Sequence, residues 1–585
     1  MSKYRKPQQR SFDDIEVGMS SLSMRPKGFE VKFREVCDRV IPDSIFDKLY
    51  SNVGREARSP STLTRLLLLQ LRDGAGDERI VDDLYYDMRV RYMCDFGLAQ
   101  KPLHPTQLVY HRLRLLFGTI KRDEIARLKS GGFSEKQSPL ADVFDRVKEA
   151  AVELGLVDME SAQLIDSTAI LGRAAVMDSY ALIFAGIRKT LVEFVRSDDE
   201  HAKELISRLR RSEYLEEVAK PKIDWESAAA RQELLNDLVY DSVSVLRAGL
   251  KFQDYELEGL VEQLARVVGQ DVEVSEDGTG KLVDGVSTDR QVSVVDPEMR
   301  HGRKSKSRKF NGYKGTVTAD ATSGVITAVH VMGANEHDSA AVADMIEAHA
   351  RSGTQPSALI GDRAYAAEDV RYEAMKQGVA IVTKPNSCGN GFGKGSFEMD
   401  SVGETVTCPG GLVRAIGGRS VTFAGRSCPL DCPHRVVCLG KSGKRVIKMR
   451  EHEVLQRDAE SFARTDKGKE MLRLRPAIER VIAHWMRNGG RQARYFGRLK
   501  VWMQGVLSAI MCNVQKIVGK AGDNGHRSPG GGSATPLSAP ASILAALLLI
   551  ISALLRAIIP PSQPPAQNDY HMSKTLKTAL SSEGS

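Results

Sequence analysis

Gly312-Tyr313-Lys314-Gly315-Thr316-Val317-Thr318-Ala319-Asp320 and Val325-Ile326-Thr327-Ala328-Val329-His330-Val331 flank the spacer Ala321-Thr322-Ser323-Gly324. The flanks are rich in β-branched residues and the spacer offers a glycine free to take positive φ, so the stretch predicts a β-hairpin. On its C-terminal side a helix is expected near Asp338 to Ala350, then a buried strand Ala358-Leu359-Ile360-Gly361-Asp362. A helix around Ala367 to Gln377 and a strand Val379-Ala380-Ile381-Val382-Thr383 follow. Strand, hairpin, helix, strand, helix, strand is an α/β order.

On the N-terminal side, Gln291-Val292-Ser293-Val294-Val295 is expected to be a further strand. The preceding stretch, about 172–290, carries Leu, Glu, Arg and Ala at helical period and predicts a helical insertion. Before it, Gln163-Leu164-Ile165-Asp166-Ser167-Thr168-Ala169-Ile170 predicts a short strand with one carboxylate in an apolar frame. From Phe33 to Gly118 the apolar residues recur at helical spacing, and Ser59-Pro60 supplies an N-cap and a first-turn proline. Arg89, Arg91, His104, His111, Arg112 and Arg114 in this region predict either a basic face for phosphates or an ordinary solvated surface.

With 585 residues, several packed units are expected. A flexible start over 1–32 precedes a helical N-terminal unit over 33–130. An α/β unit over 131–518 is expected to carry a cysteine-rich insertion at about 386–448. Residues 519–585 are expected to hold a Gly/Ser/Pro linker, the apolar segment 541–559 and a polar tail. That apolar segment is near the lower length limit for a membrane span and contains Arg556, so a helix packed on the body or on another subunit is the preferred reading.

Hydrophobic content of 42% and charged content of 27% exclude fibrous and disordered classes. The net charge of +8 suits a polyanionic partner without identifying one. The polar start Met1-Ser2-Lys3-Tyr4-Arg5-Lys6 carries no secretory signal, which predicts a cytoplasmic protein whose eight cysteines are thiols or metal ligands.

Asp166 and Asp362 are each expected to end a strand, where active sites of α/β sheets collect. A third acid, Glu479, stands one helical turn after Arg475 in Leu472-Arg473-Leu474-Arg475-Pro476-Ala477-Ile478-Glu479. Beyond it runs Gly489-Gly490-Arg491-Gln492-Ala493-Arg494-Tyr495-Phe496-Gly497-Arg498-Leu499-Lys500, basic and glycine-punctuated, suited to a DNA backbone. The acids are 196 and 117 residues apart, so only the fold can join them.

These pieces, together with Asn335-Glu336-His337-Asp338 and Gly361-Asp362-Arg363-Ala364-Tyr365, resemble bacterial insertion-sequence transposases of the DDE class over roughly Phe33 to Ile517. The resemblance implies an RNase H-like α/β fold in which Asp166, Asp362 and Glu479 hold Mg²⁺ (or Mn²⁺). It further implies cleavage and strand transfer of double-stranded DNA by a homodimer, with no small-molecule substrate. Two such ions, about 3.5–4 Å apart, clamp an in-line displacement at phosphorus. One departure is visible. Related elements often place a tyrosine before the arginine and a lysine after the glutamate, but Leu472 and Met486 occupy those positions, with Arg487 or Lys500 as replacements for the lysine. The alternatives are a metal-dependent nuclease that does not join DNA, and an inactive zinc-containing DNA-binding protein.

Residues expected to contact DNA are Arg303, Lys304, Lys306, Arg308 and Lys309 in the basic run before the hairpin, then Lys314, Arg363, Arg475, Arg491, Arg494 and Lys500. Cys408, Cys428, Cys432 and Cys438 fall in a short glycine-rich region with few apolar residues, which predicts a small zinc-ribbon-like Zn²⁺ site, with His434 as a substitute ligand. Cys37, Cys94, Cys388 and Cys512 read as ordinary thiols.

Overall fold

The structure, a computed structural model, describes residues 28–523 apart from 51–56, 98–99, 101–102, 159–160, 198, 217, 219, 250–254, 276–277, 306, 386–391 and 401–404. The linker, apolar segment and tail expected beyond 523 lie outside the described residues, as do Lys306 and Cys388.

The N-terminal part is helical, including α1 (Phe29–Val40), α2 (Pro60–Asp73), α3 (Thr106–Phe117) and α4 (Pro139–Glu153). Ser59 caps α2 through the Thr62 amide at 3.1 Å, with Pro60 in the first turn. Neither reading of the basic residues here survives for those that turn inward. His111 is fully buried between Thr64 and Tyr50, and burial pushes its ring down to about 3, so it stays neutral. Arg112 is buried against Asp77, and Arg91 is buried over Phe96. Arg89 is tied to Asp87 at 2.8 Å.

The sheet begins with β1 (Gln163–Leu171). An insertion follows with its own core, built on α5 (Ser179–Ser197), α6 (Ala228–Gly249) and α7 (Tyr255–Asp271) and ending in a small hairpin, Val272–Val274 with Gly280–Leu282. The strand expected at 291–295 does not form. Its backbone groups bond to neighbouring helices instead: Gln270 holds Gln291 at both its amide and its carbonyl, and Lys189 and Gln263 donate to the Val294 carbonyl. An apolar run whose peptide groups are satisfied this way needs no strand partner.

A strand forms a few residues later, from the basic run itself: β2 (Arg300–Arg303). It pairs with the start of β3 (Lys309–Asp320), which forms the expected hairpin with β4 (Ile326–Gly333). Then come α8 (Val342–Arg351), β5 (Ala358–Ile360), α9 (Glu368–Lys376) and β6 (Ala380–Val382). The sheet runs β4-β3-β1-β5-β6, antiparallel on the hairpin side and parallel from β1 to β6. A parallel step needs a crossover, and α9 provides the one between β5 and β6.

The cysteine-rich region forms short antiparallel strands, among them Ser420–Ala424 with Lys444–Lys448, around a small core of Phe397, Val406, Phe423 and Ile447. Two further helices close the sheet, α10 (Ala477–Trp485) and α11 (Arg498–Asp523). The α11 side chain Asn513 accepts from the Ile326 amide and donates to its carbonyl, both at 2.8 Å, and Trp502 donates to the Val329 carbonyl. Edge strand β4 is thereby covered rather than left open to another chain. No helix among the described residues is long and apolar enough to cross a membrane.

Candidate active site

Asp166 does not end its strand as expected. It is the fourth of nine residues in β1, opposite Val317 of β3, because antiparallel pairing with β3 carries β1 on to Leu171. On the other flank, β1 pairs with β5 only at Gln163–Leu359 and Leu164–Ile360. Continuing that parallel register by two residues sets Asp166 level with Asp362, just beyond the end of β5. The charge of Asp362 acts on Asp166 from where the β5 ladder stops, the position at which ligands meet a parallel sheet.

Asp362 caps the following turn, accepting from the Ala364 amide at 2.7 Å. Asp166 accepts from the Ser167 amide at 2.8 Å. The Ser167 hydroxyl bridges Thr316 at 2.8 Å and the fully buried Tyr365 hydroxyl at 2.7 Å, locking β1 to the turn that carries Asp362. Tyr365 is thus a packed aromatic, and burial holds its hydroxyl protonated.

Glu479 arrives on α10. Ile478, Val481 and Trp485 form the buried stripe of that helix, and a side chain on Gly315 of β3 would collide with the Trp485 ring. The indole nitrogen donates to the Gly505 carbonyl at 2.8 Å, so α10 is fixed between sheet and α11. Arg475, just before α10, lies 3.5 Å from Asp166 Oδ2 through one nitrogen and 3.9 Å from Glu479 Oε1 through the other. Glu479 itself is 68% exposed and reaches Asp166 through this guanidinium.

Burial pushes the Asp166 carboxyl up to about 6; the Ser167 amide and Arg475 oppose this, and the nearby Asp362 and Asp338 charges reinforce it. Asp338 is the acid that sequence reasoning did not single out. It follows β4, pairs with Lys314 Nζ at 2.9 Å, and acts electrostatically on both Asp166 and Tyr365. The run Asn335-Glu336-His337-Asp338 was the available signal.

Among the described residues no three His, Cys, Asp or Glu side chains are arranged as a preformed metal cage. The chemistry at Asp166 still suits a hard cation: burial and the nearby charges of Asp362 and Asp338 penalise its ionisation, a penalty that a divalent cation would offset. The four cysteines expected to bind zinc share one neighbourhood. Cys408, Cys428 and Cys438 are buried, and burial followed by the neighbouring thiols raises Cys438 above the usual range. A side chain at Gly410 would meet the Cys432 and Cys408 sulfurs. His434 packs edge-on against Phe392.

The expected DNA contacts divide. Arg303, Lys304, Arg308 and Lys309 are exposed on the β2–β3 hairpin, and Arg363, Arg491 and Lys500 are exposed elsewhere. Three others are engaged within the protein. Lys314 holds Asp338 and the Glu336 carbonyl, Arg475 holds Asp166, and Arg494 donates to the Ala75 carbonyl. As placed, these three order the site and the N-terminal contact rather than face a ligand.

The family model described as Transposase DDE domain matches residues 277–514. A second, described as Transposase domain (DUF772), matches residues 23–114. Asp362, Glu479 and the cysteine-rich region fall in the first match, whereas β1 with Asp166 lies between the two. No curated protein and no solved structure matches the chain.

Proposed function

Because this chain belongs to the DDE-class insertion-sequence transposases, we propose that Asp166, Asp362 and Glu479 are the acids with which it carries out that chemistry. The class is defined by an RNase H-like α/β core and by divalent-metal-dependent cleavage and strand transfer of DNA. The observation that carries the assignment is the register that sets Asp166 level with Asp362, with Arg475 linking Asp166 to Glu479.

Asp166 and Asp362, with Glu479 at the rim, would hold Mg²⁺ or Mn²⁺ through carboxylate oxygens. Bound there, the metal supplies Lewis acidity at the scissile phosphate. The protein's own part is positional. Ser167, Thr316 and Tyr365 hold β1 against the turn that carries Asp362, and Arg475 favours negative charge on Asp166 against its burial. The exposed cations of the β2–β3 hairpin, Arg303, Lys304, Arg308 and Lys309, together with Lys306, Arg363 and Lys500, are proposed to meet DNA phosphates.

The helical unit of residues 33–130 is proposed to share in DNA binding. Cys408, Cys428, Cys432 and Cys438 are proposed to hold a structural Zn²⁺, supported by their common neighbourhood and by a core too small to stand without a staple. Pairing two element ends requires two active sites, so the working unit is proposed to be a homodimer acting on DNA in the cytoplasm.

The test uses the full chain with a duplex carrying the element ends. Asp166→Ala and Asp362→Ala are each expected to abolish Mg²⁺-dependent cleavage and joining while retaining DNA binding. Undiminished cleavage by either variant would remove the assignment. Cleavage without joined products from the unaltered protein would favour the nuclease reading.

A further inference from the structure

After α10 the chain turns sharply through Met486–Gly490 and pairs with the end of β1, where Leu171 and Gln492 form a bridge. Gly489 makes the turn possible at φ 97°, a conformation that L side chains rarely adopt. A Cβ there would also sit 3.0 Å from Leu71 of α2, so the glycine lets the catalytic core close against the N-terminal helices. Between them lies an open trough of about 700 Å³, floored by the end of β1.

The trough is strongly cationic: Arg72, Arg173, Arg487, Arg491 and Arg494 line it against a single acid, Asp73. Two of these arginines are spoken for. Arg72 is tied to Asp73 at 2.6 Å, and Arg494 is turned to the Ala75 carbonyl. The other three are exposed. Among the described residues, Arg173 donates only to the Arg494 carbonyl at 3.2 Å and Arg487 only to the Ala483 carbonyl at 3.3 Å. Among the described residues, none of the three forms an ion pair. Three unneutralised guanidinium groups converging on one polar trough repel one another and attract a polyanion.

The trough also stands at a definite distance from the acids. Arg487 is eight residues beyond Glu479, roughly 12 Å at 1.5 Å per helical residue. Leu171 is five residues beyond Asp166, roughly 16 Å along a strand. At 3.4 Å per nucleotide along the axis of B-DNA, either distance is about four or five nucleotides.

We propose that this trough seats the sugar-phosphate backbone of duplex DNA about four or five nucleotides from the scissile phosphate, so that the N-terminal helices and the catalytic sheet grip one duplex. The proposal rests on the transposase reading for its ligand and adds where the flanking backbone runs.

Binding to a random-sequence duplex of about 30 base pairs, followed across salt concentration in EDTA, tests it without engaging the metal chemistry. Each phosphate contact contributes about 0.9 to the slope of log affinity against log salt. The variant R173A/R487A/R491A is therefore expected to lose about two to three units of slope, and the corresponding triple lysine variant to keep most of it. Unchanged slope in the alanine variant, with an unchanged melting curve, overturns the proposal. Should that variant fail to fold, Arg491→Ala alone decides: a loss of about one unit supports the trough and no loss overturns it. If wild-type protein binds DNA but never cuts it, the catalytic reading fails while the trough stands or falls on these slopes.

Discussion

Arg475 and Asp166, 309 residues apart in the chain, meet at 3.5 Å where α10 begins. The contact joins the segment that leads into Glu479 to the first strand. It also sets the charge state of the site, because Arg475 works against burial and against two neighbouring carboxylates to keep Asp166 ionised. Removing this cation leaves the Ser167 amide to oppose the raising influences without it. Arg475→Ala is accordingly expected to move the Asp166 titration above about 6, and Arg475→Lys to move it less. A carbon-detected NMR titration of the carboxyls reads this directly, and an unmoved Asp166 midpoint in Arg475→Ala would show that the contact carries no electrostatic weight.

The same shift fixes a stability trend for the metal-free protein. Asp166 ordinarily titrates at 3.8 and is raised to about 6 in the fold, so the folded state binds this proton more tightly than the unfolded chain. Its contribution is present in full below the unfolded value and is lost as pH rises through about 6. Asp166→Asn mimics the protonated form at every pH. Its stability advantage over wild type in EDTA is expected to grow from pH 4 to pH 7, by on the order of 2–3 kcal/mol. A gap that stays flat with pH, measured by urea unfolding, would contradict a raised Asp166. Protons and divalent cations compete for this carboxylate, so cation affinity should weaken as pH falls below about 6.

How much of this could be read from the chain alone depended on whether a signal was local. The hairpin was legible because glycine-containing turn and β-branched flanks are neighbours in sequence; Arg475 with Glu479 was legible for the same reason. The length of β1 was not, because its continuation past Asp166 is set by β3, more than a hundred residues away. The run 291–295 looks like a strand by composition, yet Gln263 and Gln270 of α7 supply the backbone partners that a strand would otherwise need. Arg112 reads as a surface charge until Asp77 and the burial of α3 are known. Asp338 stood in a quoted motif but revealed its role only through Lys314 and Asp166.

Asp338 should act opposite to Arg475. Its charge raises Asp166, so Asp338→Asn is expected to lower the Asp166 midpoint and to release Lys314, which now holds Asp338 at 2.9 Å. The two substitutions in one protein should partly offset each other at Asp166, with a net rise because Arg475 is the larger influence. If Asp338→Asn raises the midpoint instead, the charge of Asp338 is not what acts on Asp166.

The cysteine cluster yields a compositional prediction. Protein purified without chelator is expected to contain one Zn²⁺ per chain by elemental analysis, and Cys408→Ser or Cys438→Ser to lose it. Because the local core is small, loss of the metal should expose residues of 392–449 to limited proteolysis while the sheet persists. Metal-free wild-type protein with the same protease resistance would reject a structural zinc here.

Trp485 gives the last test, because it connects packing with the proposed role of Glu479. Its ring is fully buried against Gly315 and its nitrogen donates to the Gly505 carbonyl, so it anchors the helix that carries Glu479. Trp485→Ala removes a large buried ring and should cost about 3–5 kcal/mol. Trp485→Phe retains most of the packing, loses the hydrogen bond and leaves the Gly505 carbonyl without that donor, a cost of about 1–3 kcal/mol. If Trp485 acts by positioning Glu479, the phenylalanine variant should lose kcat out of proportion to its DNA affinity at a temperature where it remains folded. Equal and small losses in both, with the fold intact, would mean that α10 keeps its place through Ile478 and Val481 alone.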